Sequence, residues 1–352
     1  QKQASLCYKK LNMSKKNSSV ILKNGFKDYE ELSHIYLTFK KKLNFFRKKK
    51  FLIAVSGGSD SLALTALAMA YTSENKSKFF YVLVDHKLRK NSSQEAQSVK
   101  RLLKKHKVTL YILKNKKMIK KNIQSEARKI RYNLLASFCK NKKINTILTA
   151  HNLEDQVETF FIRLSRGSGL DGLSSMKKIS KIQGSIKLMR PLLDFKKNKL
   201  TRISKVIFGK YYKDPTNKNT KYLRIRIRNL KKTLERTGIN YDQVIRSIKN
   251  LASSRDTLEQ YFEKIYRGIV SKGNKKIMID LNIFNRINQE MKMRVFKKAI
   301  NESNKAYYFT RSKKIFNLID QIQMKKNTKL TLGGCIISRE KNRIVLSKEI
   351  KN

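Results

Sequence analysis

The sequence predicts an α/β fold, with a doubly wound parallel sheet followed by a second, mainly helical domain. Three observations lead there. Between residues 51 and 167, short apolar runs alternate with longer stretches of helical spacing. The runs are near-continuously apolar, as strands covered on both faces of a parallel sheet require. Beyond residue 226 apolar positions recur at helical intervals, as in Leu258, Tyr261, Phe262, Ile265 and Tyr266.

The chain has 352 residues, enough for two cores. Residues 1–48 read as a basic leader and an N-terminal helix, 49–225 as the sheet domain, and 226–352 as the helical domain ending in a small hairpin. The first acidic residue is Asp28, so the leader resembles a transit peptide; extra residues ahead of a start at Met13 would look the same. Strands are expected at 51–55, 79–85, 108–113 and 144–150, with helices at about 60–73, 92–106, 123–141 and 152–165. Ser92 and Glu95 carry a capping-box spacing at the second of these helices. A Ser/Gly-rich stretch at 165–175 and the prolines Pro191 and Pro215 mark a looser connection. Leu330–Ile337 and Ile344-Val345-Leu346 read as the hairpin.

Lys and Arg number 82 against 25 Asp and Glu, a formal charge of +57 that favours a polyanionic partner, nucleic acid first. Abundant Lys, Asn and Ile also suit an AT-rich genome, so the charge supports RNA binding without deciding it. A hydrophobic content of 40% argues against a wholly disordered basic chain. Cys7, Cys139 and Cys335 form no C-x-x-C pair, which argues against a zinc clamp or redox dithiol and suits a reducing compartment. No apolar run reaches the roughly 18 residues of a membrane span. A cytoplasmic protein without a membrane partner is expected.

Ser56-Gly57-Gly58-Ser59-Asp60-Ser61 joins the first strand to its helix. Glycines there admit close backbone approach, and amides at a helix start attract anions. The serine hydroxyls add donors, and Asp60 can hold a cation beside phosphates; a turn that merely caps the helix is the plainer alternative. Ligands of parallel sheets collect at the carboxyl ends of strands. Asp85-His86 and His151 fall at such ends too. Asn152 can cap the helix after His151, and Asp155 and Glu158, three apart, share one face of it. They suit Mg²⁺ beside phosphate oxygens, or simply complement the helix dipole. Arg128 and Arg131 have the same spacing beside Tyr132, as a phosphate-binding fork or a solvated basic face.

The ordered set SGGSDS, VDHKLR, SEARKIRY, HNLEDQVET, RLSRGSGLDGL, RPLL and DPTN…YLRIRIR, over about residues 50–230, resembles the tRNA(Ile)-lysidine synthetases. These belong to the N-type ATP pyrophosphatase, or PP-loop, superfamily with its Rossmann-like sheet. The resemblance implies ATP binding by Ser56, Gly57, Gly58, Ser59, Asp60 and Ser61, with Asp85, His86 and His151 nearby. It implies Mg²⁺ on Asp60, Asp155 and Glu158, and catalytic roles for those three with Arg128 and Arg131. Arg163, Arg166, Arg190, Arg224, Arg226 and Arg228 are implied contacts to the tRNA(Ile) with a CAU anticodon. Free L-lysine is the implied nucleophile, His86 and His151 are candidates for taking its proton, and a homodimer stays open. The Leu332–Arg339 stretch resembles the end of the family's helical domain, and a further domain of longer members is not expected. Lys87 stands where the family usually has glycine, Glu154 where aspartate is common, and Ile225 where asparagine is usual. A tRNA thiolase of the same fold would use reactive cysteines, and a non-catalytic RNA-binding protein would not need the acids.

Overall fold

The computed structural model describes residues 15–46, 50–89, 91–115, 119, 122–213, 219–274, 276–304, 312–324 and 329–349. The expectations for the leader, Cys7, Met13 and the Asp214–Asn217 motif with Pro215 lie outside them. The chain divides into two compact units, 1–252 and 253–352.

The first unit opens with helices α1 (Lys15–Lys23) and α2 (Glu30–Asn44). Strand β1 (Lys50–Val55) then leads into α3 (Ser59–Glu74), β2 (Lys78–Asp85) into α4 (Ser92–Lys104), and β3 (Leu110–Lys114) into α5 (Ile123–Lys142). Next come β4 (Thr146–Leu148), α6 (Leu153–Leu164), the short α7 (Leu170–Leu173), β5 (Ile179–Lys181), β6 (Lys187–Met189) and α8 (Lys197–Phe208). Among the described residues these strands form one sheet in the order β3-β2-β1-β4-β6-β5. All neighbours are parallel except β5, which runs antiparallel to β6 at the edge. The doubly wound parallel sheet is as the sequence predicts, with β6 and β5 added beyond the expected strands.

Side chains alternate across β1, as the strand period demands. Phe51, Ile53 and Val55 enter a core shared with α3, α4 and α8, while Leu52 enters another with Tyr132, Leu135 and Cys139 of α5. Helices therefore cover both faces. Helix α3 is sealed nearly all round: Leu62, Ala63, Leu64, Ala66, Leu67, Ala68 and Ala70 are each 0% exposed. A tightly packed helix thus stands directly behind the Ser56–Ser61 loop. Strand order reverses between β1 and β4, which places the binding crevice of such sheets at their carboxyl ends.

The expected boundary near 225 falls inside the first unit. Helix α9 (Leu223–Asn229) is tied by arginine–carboxylate pairs to α6, and α10 (Lys231–Arg236) follows directly. Helix α11 (Tyr241–Ile269) packs Tyr241, Val244 and Ile248 against Leu153 and Val157 of α6.

The second unit is less purely helical than expected. Helices α12 (Leu281–Arg286), α13 (Gln289–Asn304) and α14 (Ser312–Met324) are joined by β7 (Val270–Gly273), β8 (Lys276–Asp280), β9 (Lys329–Leu332), β10 (Cys335–Glu340) and β11 (Arg343–Lys348). Among the described residues these strands make an antiparallel sheet in the order β7-β8-β11-β10-β9. The expected hairpin is real but is only part of it. Gly333 and Gly334, at φ +63 and +73, turn β9 into β10 within two residues. That doubly left-handed turn is one glycine readily supplies.

The capping box expected at Ser92 and Glu95 is not formed. Helix α4 is preceded by Asn91 without a side-chain cap, Glu95 pairs with Arg89, and the Ser92 hydroxyl turns back to Asp85. Among the described residues, no helix is long and apolar enough to cross a membrane.

Candidate active site

The loop after β1 is held in shape by its own serine. The Ser61 hydroxyl accepts the Ser56 N–H and lies 3.1 Å from the Ser56 hydroxyl, while donating to the Gly58 carbonyl at 3.0 Å. Ser61 is 5% exposed, so it braces the loop from inside rather than facing a ligand. Gly57 sits at φ +82, and a Cβ there would lie 2.5 Å from Val99 Cγ2. Its carbonyl accepts the Tyr212 N–H at 3.0 Å, and Ser204 donates to the Ser59 carbonyl at 3.1 Å. Gly58 is the N-cap of α3, with no side chain closing the helix start. The first amides of α3 are thus left for an anion, with the helix dipole behind them. Asp60, in that first turn, has one oxygen 3.5 Å from Lys197 Nζ. Burial, with Asp155 nearby, raises its carboxyl above the ordinary range despite Lys197.

At the end of β2 the structure separates two expected ligand-binding residues. Asp85, 3% exposed, accepts from the Ser93 hydroxyl at 2.5 Å, the Ser92 hydroxyl at 2.8 Å and the Lys87 N–H at 2.9 Å. Burial alone would raise its pKa; those donors outweigh it and leave it below the usual carboxylate value. Asp85 therefore shapes the turn, with Lys87 at φ +53 in the conformation a glycine adopts freely. His86, half-buried, is not drawn into that turn. Its Nε2 accepts from Arg131 Nε at 3.4 Å, and its Nδ1 is buried without a hydrogen-bond partner. Burial and Arg131 lower its pKa to about 4.

On α6 the two acids meet arginines from α9, an element that follows much later in the chain. Asn152 and Asp155 form a reciprocal capping box, with hydrogen bonds of 2.9 and 3.0 Å. The other Asp155 oxygen accepts from Arg224 Nη2 at 2.5 Å. Glu158, with its side chain 2% exposed, accepts from Arg224 Nε and Arg228 Nε at 2.6 Å each. Residues 224 and 228 lie on one face of α9, while Ile225 and Ile227 are buried on another and Arg226 is exposed. Glu154 completes the arrangement by accepting the Lys197 N–H at the start of α8.

The remaining expected residues divide between support and surface. His151 Nδ1 lies 2.9 Å from the Thr149 hydroxyl; burial, then the charges of Arg190, Arg128, Arg224 and Arg131, lower its pKa to about 3. Arg190, 7% exposed, donates to the Lys177 carbonyl at 2.7 Å and to Ser180 at 3.1 Å, which argues against the expected phosphate contact from the surface. Arg163 donates to the carbonyls of Gly172 and Ser175 and so fastens the Ser/Gly-rich loop. Arg128 stacks 5.1 Å from the Tyr132 ring centroid. Arg128, Arg131, Arg166 and Arg226 are exposed.

A family profile described as a PP-loop domain matches residues 31–234. A tRNA(Ile)-lysidine synthase from Wolbachia pipientis wMel is 33% identical over 309 residues, covering 86% of this chain and 72% of that protein. One from Orientia tsutsugamushi (strain Boryong) is 31% identical, covering 87% of this chain and 71% of that protein. The chain belongs to the tRNA(Ile)-lysidine synthase family. Among solved structures, the U34-tRNA thiolase NcsA from Methanococcus maripaludis aligns with a TM-score of 0.54 at 18% identity, over 63% of this chain and 79% of that one. That likeness is one of fold. Cys139 and Cys335 are both buried, and burial pushes the Cys139 thiol up to about 12, so neither offers the reactive sulfur a thiolase needs.

For a lysidine synthase the donor set bears directly on Mg²⁺. Asp60 fits: it stands in the first turn of the helix behind the Ser56–Ser61 loop, with Lys197 Nζ 3.5 Å from one of its oxygens. Glu158 does not fit, since both its oxygens are taken by guanidinium groups. Among the described residues no group of three or more His, Cys, Asp or Glu is arranged to hold an ion. Lys197, Ser204 and Tyr212 were not among the expected residues. They close the loop from a distant part of the chain, and only tertiary contact reveals them.

Proposed function

We propose that the chain makes lysidine on tRNA(Ile): ATP-dependent adenylation at C2 of the wobble cytidine of the CAU anticodon, then attack by free L-lysine. The observation that carries this reading is the uncapped start of α3 behind a serine-braced glycine loop, in a chain of the lysidine synthase family. Cytosine O2 attacks the α-phosphorus of ATP, the α–β bridging bond breaks, and pyrophosphate leaves with the electron pair. The lysine ε-amine then adds to C2, the C2–O bond breaks, and AMP departs. A carbonyl oxygen is a poor leaving group and AMP a good one, which is why adenylation must come first.

The amides of the loop and of the first turn of α3 would receive the phosphates. Asp60 would hold Mg²⁺, which supplies charge neutralisation on the departing pyrophosphate. Arg128 and Arg131 would face the adenylate or the everted cytidine. Arg166 and Arg226, exposed and basic, suit tRNA phosphates. His86 and His151 are neutral at pH 7, with pKa values of about 4 and about 3. Against an ε-ammonium at about 10.4 either is a weak base, so neither histidine is assigned the removal of that proton. ATP, lysine and tRNA meet in the cytoplasm, which supports that location. Incubation with ATP, labelled lysine and unmodified CAU-anticodon tRNA tests the proposal: lysine-dependent label on the tRNA with AMP release is expected, and ATP turnover without incorporation would reject it.

A further inference from the structure

Glu158 was expected to bind metal, and its surroundings argue otherwise. Oε1 accepts from Arg228 Nε at 2.6 Å; Oε2 accepts from Arg224 Nε at 2.6 Å and from Arg228 Nη2 at 3.2 Å. The side chain is 2% exposed, whereas those of Arg224 and Arg228 are 37% and 35% exposed. The carboxylate is therefore the buried root of the cluster, and the guanidinium groups are its accessible tips. Charge agrees with geometry. Asp155 and Glu158 face Arg224 and Arg228, so these two carboxylates are balanced by two cations. A divalent ion gains little from a neutralised set, and Mg²⁺ asks for near-octahedral oxygen ligands at about 2.0–2.1 Å.

We infer that Glu158 is a positioning residue and not a metal ligand: it holds the Arg224 and Arg228 guanidinium groups, beside Asp60 and the phosphate loop, for the phosphoryl oxygens of ATP. One carboxylate shared by two arginines fixes both forks at once, because each fork is planar and its hydrogen bonds set its orientation. Asp155 pins Arg224 from a second direction, which stops it rotating about Glu158. The buried isoleucines at 225 and 227 anchor the short helix that carries both arginines.

The inference rests on the proposed use of ATP, and its test needs neither tRNA nor lysine. Mn²⁺ as a spectroscopic substitute for Mg²⁺ would be titrated by electron paramagnetic resonance into the full chain with a non-hydrolysable ATP analogue. In Glu158→Gln, Mn²⁺ affinity should stay within about twofold of the unaltered protein, while affinity for the analogue falls about tenfold or more. Asp60→Asn should instead weaken Mn²⁺ itself. In a double-mutant cycle, Glu158→Gln with Arg228→Met should lose no more analogue affinity than the worse single change. Loss of Mn²⁺ binding in Glu158→Gln matching that in Asp60→Asn would overturn the inference, as would multiplicative losses in the cycle. Should Glu158→Gln melt, Arg224→Met and Arg228→Met ask the same question from outside: they should weaken the analogue and leave Mn²⁺ unchanged. Tighter Mn²⁺ in those variants would mean the arginines only screen a metal-binding Glu158. Failure of lysine incorporation with Mn²⁺–nucleotide binding intact would remove the lysidine proposal alone, and absence of nucleotide binding by the unaltered protein would remove both.

Discussion

At the Ser56–Ser61 loop the polar groups are mostly backbone: amides at a helix start, a glycine at φ +82, and serine hydroxyls that brace the turn. At Asp155–Glu158 they are side chains, carboxylates already satisfied by arginines from α9. The first region takes its shape from neighbours in sequence, with Ser204 and Tyr212 bonding to its carbonyls from afar. The second joins segments far apart in the chain and is saturated. Local backbone geometry can be read as a motif; a side-chain network built across the fold cannot, because either half looks like ordinary solvated charge by itself.

Changes at each region can break or sharpen that contrast. The largest effect is expected at their junction: Asp60→Ala should lower pyrophosphate release on the order of 10²-fold or more, with the circular dichroism spectrum retained. Near-normal turnover would remove Asp60 from the chemistry. Gly57→Ala comes next, since its Cβ would meet Val99 Cγ2 at 2.5 Å in a left-handed conformation. About 1–3 kcal/mol of stability should go, seen as a lower urea midpoint. An unshifted midpoint would show that the loop is less constrained than its geometry states. Ser61→Ala should cost about 1–2 kcal/mol, because the Ser56 N–H loses its acceptor and the Gly58 carbonyl its donor. Nucleotide titration should then show weaker binding without altered metal demand.

The last expected effect concerns pH. His86 and His151 are held neutral, at about 4 and about 3, while an unfolded histidine titrates near 6.5. Between those values the unfolded chain binds more protons than the folded one. Their contribution is thus whole above pH 6.5 and declines as pH falls toward 4. The melting temperature should drop across that window, and His151→Asn should flatten the slope; an unchanged slope would show that His151 does not supply it.

Much of the first unit was legible in the sequence. The runs beginning at Phe51 and Phe79 are apolar enough to specify buried parallel strands, and the loop between Val55 and Leu62 follows from its residue types. Asp85 was legible as a strand end but not in its role: nothing local says that Ser92 and Ser93 will return to it and consume its oxygens. The same holds for the Ser92–Glu95 spacing, whose acid found Arg89 instead. Residues 270–273 and 276–280 were missed as strands because each run is short and half polar; they become strands only by pairing with each other and with residues 343–348.

That last pairing has a kinetic consequence. Strand β11 lies between β8 and β10, so the middle of the second sheet is filled by the segment synthesised after all its neighbours. Until Lys348 clears the ribosome, β7–β8 and β9–β10 are two separate ribbons with unsatisfied edges. Closing the long gap between β8 and β11 is slow compared with forming the helices that lie within it. Folding of this unit should therefore lag translation, and its exposed ribbons carry a risk of misassembly while it waits.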